Sequence, residues 1–256
     1  MAEKNNVVIQ DFGEETFEFL AGYKDKDGNV IKEFAIREIT GVEEEAISKA
    51  GIRENGGKVV RTILEKCITR IGDITPKIGQ GEWREIIQSL SIADQDYALL
   101  KIREATLGSE IEMEHKCPHC GASLKSIIDI DELNIIPFGG EEILEFELPK
   151  GYRDKQGTVH KLGKLRYPNG FDREVLDTVA RKNIGTANTM LLTRCIVELG
   201  DVKVHDAIIR GLSMKDREYL LNVLRENAYG VELETDITCS SCGEEFRSTL
   251  NMVNFL

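Results

Sequence analysis

The sequence predicts an α+β protein made of two tandem copies of one small domain. Three observations carry that expectation. The chain matches itself over nearly its whole length after the first dozen residues. Each copy alternates hairpin-like strands with amphipathic helices, and each ends in a Cys-x-x-Cys turn set between two alternating strands.

The repeat is read by direct superposition. "FEFLAGYKDKDGNVIKEFAIREITGVEEEAI" (17–47) lies over "FELPKGYRDKQGTVHKLGKLRYPNGFDREVL" (146–176) without a gap. After one deleted residue "LEKCITRIGD" lies over "LTRCIVELGD", and further on "LSIADQDYALLKIRE" lies over "LSMKDREYLLNVLRE". "HKCPHCG" then falls on "DITCSSCG", so Cys117 and Cys120 correspond to Cys239 and Cys242. The expected boundaries are a tail over 1–13, a first copy over 14–138 and a second over 139–256, with the acidic "FGGEEILE" as linker.

Each copy opens with two short strands about a turn, "KDKDGNV" or "RDKQGTV", in which Asp-Gly or Gln-Gly suits the hairpin dihedrals. Thr40 with Glu43, and Asn169 with Asp172, are capping boxes that start a helix. A second helix carries an apolar stripe through Val60, Ile63, Leu64, Cys67 and Ile68 and is expected to run to Gly72. Its counterpart passes through Met190, Leu191, Leu192, Cys195 and Ile196 and is expected to run to Gly200. A short amphipathic helix follows ("EWREIIQSL", "VHDAIIRGL"). The caps Ser91/Asp94 and Ser213/Asp216 then open a last helix, expected to end at Gly108 or Gly230. The strands around each cysteine pair close the copy. Two such copies, packed about a pseudo-twofold axis, would form a pseudo-dimer.

Composition limits what the protein does. With 256 residues, 41% hydrophobic and 30% charged, the chain can bury a core and is neither disordered nor fibrous. A net charge of −12 speaks against a phosphate-backbone partner. No apolar run approaches the roughly 20 residues that span a bilayer. The opening "MAEKNNVVIQDFGEE" is polar and acidic, so the six cysteines read as thiols or metal ligands in a reducing cytoplasm and not as a disulfide framework.

A Cys-x-x-Cys turn supplies two thiolates, and tetrahedral zinc takes four ligands. A zinc ribbon brings its second pair within about 15–20 residues, and none follows "CPHCG" at that spacing. The two pairs can share one metal within the chain, meet those of another chain, or stay metal-free. The shared site, Zn²⁺ held by Cys117, Cys120, Cys239 and Cys242, is the expectation. His115 and His119 flank the first pair but have no histidine counterpart in the second, so a ligand role for them is not expected. Cys67 and Cys195 sit on apolar stripes and read as core. The "YKDKDGNVIKEF" segment fails as a calcium loop, because Tyr23 and Phe34 stand where carboxylates are required. A thioredoxin-like role also fails, since that motif opens a helix and these pairs join strands. No histidine recurs between the copies, and no nucleophile elbow, phosphate loop or zinc-protease motif occurs, so the protein is expected not to be an enzyme.

"FELPKGYRDKQGTVHKLGKLRYPNG" with its counterpart, "SIADQDYALLKIREATLG", and "CPHCG" with the following strand resemble the tail assembly and base plate proteins of contractile phage tails. That group includes a T-even-type baseplate hub subunit family. The second copy keeps the Leu148-Pro149-x-Gly151-Tyr152 opening, whereas the first has Leu20-Ala21. The resemblance implies a non-enzymatic structural or assembly protein, either a baseplate hub component or a tail assembly chaperone. It implies tube, tape-measure or hub subunits as partners, without nucleic acid or a small-molecule substrate. It would act in the host bacterial cytoplasm during assembly, with the virion tail as its other location. The competing reading is a zinc-ribbon module that binds nucleic acid, which would require a basic face. Around the knuckles, "EIEMEHK" and "SCGEEF" are acidic or mixed.

Overall fold

A computed structural model describes residues 13–53 and 55–250. The first half starts with β1 (Glu15–Lys24) and β2 (Val30–Ile36), an antiparallel pair. Their turn is fixed by the Asp25 carboxylate, which accepts the N–H groups of Asp27 and Asn29 at 2.9 and 2.8 Å. Helices α1 (Gly41–Arg53) and α2 (Gly56–Cys67) come next, then β3 (Ile68–Ile71), α3 (Gln80–Ser89) and α4 (Ile92–Leu107). The first knuckle hairpin is β4 (Glu110–Lys116) and β5 (Ser123–Asp129), followed by the two-residue β6 (Ile135–Ile136).

The second half runs β7 (Ile143–Arg153), β8 (Val159–Arg166), α5 (Gly170–Ala180), α6 (Ile184–Cys195), β9 (Ile196–Leu199), α7 (Asp206–Gly211) and α8 (Met214–Glu226). It ends with β10 (Gly230–Val231) and the second knuckle hairpin, β11 (Glu234–Thr238) and β12 (Glu245–Thr249). The β1-β2-β3 and β7-β8-β9 sheets have the same order. Both break register at the same place, between Glu18 and Tyr23 and between Glu147 and Tyr152.

Buried carboxylates cause those breaks. Asp94, next to its cap Ser91 at the start of α4, accepts the backbone N–H groups of Leu20, Ala21 and Gly22 at 2.7, 3.1 and 3.2 Å. Asp216 does the same for Lys150 and Gly151 at 2.7 and 3.4 Å. N–H groups turned out of the strand ladder are thus satisfied by the helix behind it. Gly22 (φ +100°) and Gly151 (φ +84°) allow the bulge. A Cβ at Gly22 would come within 2.9 Å of the Ile31 carbonyl.

Three expectations need correction. The apolar stripes do not continue as helix to Gly72 and Gly200: α2 and α6 stop at Cys67 and Cys195, and the next four residues are strands β3 and β9. Ile68 and Ile71 are buried while Thr69 and Arg70 are half-buried, and β2 offers an open edge that β3 completes. The β-branched residues of "ITRI" fit a strand at least as well as a helix. The linker is shorter than expected, since Ile143–Glu145 already belong to β7, and α8 ends at Glu226, before Gly230. At the first helix start, Thr40 donates its hydroxyl to Glu43 at 2.5 Å, while Asn169 and Asp172 form the complete reciprocal box.

Two cores result. The first gathers Phe19, Phe34, Ile63, Leu64, Ile87 and Leu99, and the second Phe146, Leu165, Leu192, Leu199, Ile209 and Leu220. Leu250, from the end of the chain, is buried in the first core, with Val231 and Leu233 packed against it. Cys67 and Cys195 are fully buried, and burial pushes both thiols up to about 12, which makes them inert core residues. Between the halves, α5 lies across α2, α3 and α4, and β10 pairs with β6. The principal helix contact of α1 is its own neighbour α2.

Candidate metal centre

Each knuckle is a strand-turn-strand unit that folds its first cysteine inward. Cys117 N–H donates to Ala122 O at 2.9 Å, and Gly121 N–H donates back to Cys117 O at 2.9 Å. In the second knuckle Cys239 N–H donates to Glu244 O at 2.9 Å and Gly243 N–H to Cys239 O at 2.8 Å. Gly121 and Gly243 take φ of +76° and +78°, a conformation that favours glycine and turns the chain tightly around the sulfurs. In both pairs the first cysteine is buried and the second exposed.

The four Sγ atoms lie within 4.8 Å of one another. Cys117 Sγ is 3.8 Å from Cys242 Sγ, and Cys120 Sγ is 3.7 Å from Cys239 Sγ. A tetrahedral tetrathiolate with bonds of about 2.3 Å has edges of about 3.8 Å, whereas a disulfide brings its sulfurs to about 2.05 Å. The donor set therefore fits a metal and not a pair of disulfides. The two close contacts also exchange under the correspondence of Cys117 with Cys239 and Cys120 with Cys242. That is the pattern of a local twofold axis, in which residue i meets j and j meets i. The knuckles thus meet reciprocally, while the helical bodies meet one-sidedly through α5.

In the second knuckle the backbone favours thiolate at Cys239. N–H groups of Ser241 and Cys242 aim at Cys239 and bring its thiol down to about 6. Cys242 goes the other way, up to about 12, because desolvation and the three neighbouring thiols outweigh the N–H of Glu244. Four sulfurs this close cannot all be anionic without a cation among them, and a four-thiolate set is suited to a metal ion.

His115 lies outside the cysteine group. It is buried between the two hairpins, with Nε2 2.6 Å from Ser126 Oγ and Nδ1 3.0 Å from Ser248 Oγ, and its ring stands edge-on to Phe246. One ring nitrogen thus reaches its own hairpin and the other reaches the second hairpin. Neither His115 nor the exposed His119 joins the cysteine group. The sequence hinted at this clamp only as a histidine beside the knuckle. Its partner Ser248 stands 133 positions away.

On the surrounding surface, Lys125 reaches Glu112 and Glu114, and Arg247 reaches Glu234 and Asp236, while Lys116 beside Cys117 is exposed. Among the described residues, no helix is long and apolar enough to cross a membrane.

Two hairpins that bring four thiols together beside a pair of like-ordered sheets define an α+β protein with a four-cysteine metal-type site. The chain belongs to the T4 bacteriophage base plate protein family, whose model matches residues 23–201 and again 172–255. Membership supports a structural role in a phage baseplate. No curated protein and no solved structure matches the chain.

Proposed function

We propose that the protein is a non-enzymatic structural or assembly component of a contractile phage tail, acting as a baseplate hub part or a tail assembly chaperone. In this reading two tandem copies of one domain, 14–138 and 139–256, are joined by a structural zinc on Cys117, Cys120, Cys239 and Cys242. Family membership carries the tail role. The duplication is supported by the matched sheet order, the matched register breaks and the paired carboxylates Asp94 and Asp216. Zinc is supported by the all-thiol donor set at tetrahedral spacing. When bound, the metal would add a cross-link between distant parts of the chain and supply no open coordination position for chemistry. Tube, tape-measure or hub subunits are the partners this role requires.

Deleting the gene tests the reading: lysates should contain no complete tails, and complementation in trans should restore them. Normal tails from a deletion lysate would exclude it. The nucleic-acid alternative has little support here, because Lys125 and Arg247 near the knuckles are paired with carboxylates and the chain carries a net charge of −12.

A further inference from the structure

Helix α5 docks on the first half through a defined set of contacts. Gly57 N–H, at the start of α2, donates to Asp177 at 2.8 Å. Arg61 and Gln88 hold the Glu174 carboxylate at 3.0 and 2.6 Å. Gly170 N–H donates to Leu90 O at 3.1 Å, and Arg173 pairs with Asp96 at 2.6 Å. Two glycines set the approach: a Cβ at Gly57 would lie 2.9 Å from Glu174 Cα, and one at Gly170 would overlap Gln95.

In the repeat correspondence the receiving positions Gly57, Gln88 and Asp96 become Gly185, Arg210 and Glu218 in the second half. The docking positions Gly170 and Glu174 become Gly41 and Glu45 in the first half. Among the described residues, the corresponding positions face solvent. Gly185, Arg210, Glu218 and, on the other side, Gly41, Glu44 and Glu45 are all exposed. Among the described residues, the two most exposed large hydrophobics lie on the uncovered face: Met214 at 76% and Ile184 at 68%. Their counterparts are Ile92, whose N–H is bonded to Pro168 O in the docked half, and the buried Gly56. A second copy docked there would cover both Met214 and Ile184.

We propose that the chain associates head to tail with a second copy of itself. Helix α1 of one copy packs on α6, α7 and α8 of the next, as α5 packs on α2, α3 and α4 within the chain. This rests on the duplication put forward above. The charges fit: Arg210 takes the place of Gln88, opposite Glu45 in the place of Glu174. Two pairs do not carry over: Arg173–Asp96 becomes Glu44 opposite Glu218, and Arg61, which also holds Glu174, becomes Thr189, which is buried and bonded to Arg217. Such a contact is heterologous, so it closes into a ring or extends as an open chain, and does not stop at a dimer.

Light scattering on the full-length protein across a concentration series tests this. The wild-type mass should rise beyond two chains. A Gly41→Trp variant, at a position where an added Cβ meets nothing within 4 Å, should block the docking side and stay monomeric. A Met214→Asp/Arg210→Glu variant should block the receiving side and also stay monomeric. Mixing the two should give dimers and nothing larger, because only one competent pair of surfaces remains. Glu218→Arg should lower the half-association concentration by about three- to fivefold, since it turns a like-charged contact into an ion pair. A wild-type mass fixed at one chain, or a dimer indifferent to both blocking variants, would overturn the proposal. Zinc content of the same samples separates the two readings: one zinc on a monomer sinks the self-association and leaves the zinc-joined duplication intact.

Discussion

Ser248 Oγ sits 3.0 Å from His115 Nδ1, across the seam between the hairpins at 110–129 and 234–249. The same ring holds Ser126 of its own hairpin through Nε2. Two-stranded hairpins are marginal alone in water, so a buried bridge between them contributes where little else does. His115→Ala should cost about 2–3 kcal/mol, from a lost buried ring and two stranded hydroxyls. Ser248→Ala should cost about 1 kcal/mol, because it removes one hydrogen bond. Urea denaturation measures both. Zinc content should be unchanged in each, and zinc loss in His115→Ala would mean that the ring is a ligand after all.

Cys117 and Cys242 meet although 125 positions separate them. Purified protein should therefore carry one zinc per chain by elemental analysis. Cys239→Ser should carry none and should loosen both halves, since Leu250 and Leu233 tie the second hairpin to the first core. Cys67→Ser should keep its zinc and lose only core stability, at roughly 1–3 kcal/mol for a hydroxyl in an apolar site. Two zincs per chain, or an unchanged count in Cys239→Ser, would show that the pairs act separately.

The legible parts of the fold were those written locally. Hairpin turns, caps and the cysteine pairs could be read because their residues stand within a few positions of one another, and the repeat located each of them twice. "ITRI" misled because its isoleucines continue the helical stripe of α2, and only the open edge of β2 decides for a strand. Asp94 was legible as a cap but not as the acceptor for Leu20, Ala21 and Gly22, whose distance in sequence hides the contact. The one-sided seat of α5 was invisible for the same reason. A repeat implies like elements, and nothing in a single copy states which face of one meets the other.

Acid should weaken the protein through its buried ion pairs. Burial acts to raise the Glu43 carboxyl, but the Arg37 guanidinium at 2.8 Å and the Thr40 hydroxyl and N–H overcome it and bring the group to about 2. Asp172 is likewise lowered: burial opposes the shift, and Arg166 with Arg194 prevails. A carboxyl with its folded pKa below the unfolded value of about 4 adds stability above that pH and loses it as pH falls toward the folded pKa. Glu43→Gln should therefore cost about 2–3 kcal/mol at pH 7. The difference from wild type should shrink between about pH 4.5 and pH 2. Denaturation curves of both proteins at pH 7, 4.5 and 3 give that difference, and a gap independent of pH would remove Glu43 from the account.

Gly57 and Gly185 stand at matching positions at the starts of α2 and α6, and the space above them differs. A methyl group at Gly57 would press on the backbone of α5, 2.9 Å from Glu174 Cα, and backbone cannot swing aside as a side chain can. At Gly185 the same methyl meets only the Asn183 side-chain oxygen, at 3.3 Å. Gly57→Ala should therefore destabilise by about 1–3 kcal/mol, the usual range for overpacking. It should also weaken the bond from Gly57 N–H to Asp177. Gly185→Ala should change the stability of the dilute protein by no more than about 0.5 kcal/mol, because alanine's better helix propensity offsets a small adjustment of the cap. Thermal unfolding of the pair decides the matter. Equal losses at the two sites would mean that α5 does not rest on α2 in solution.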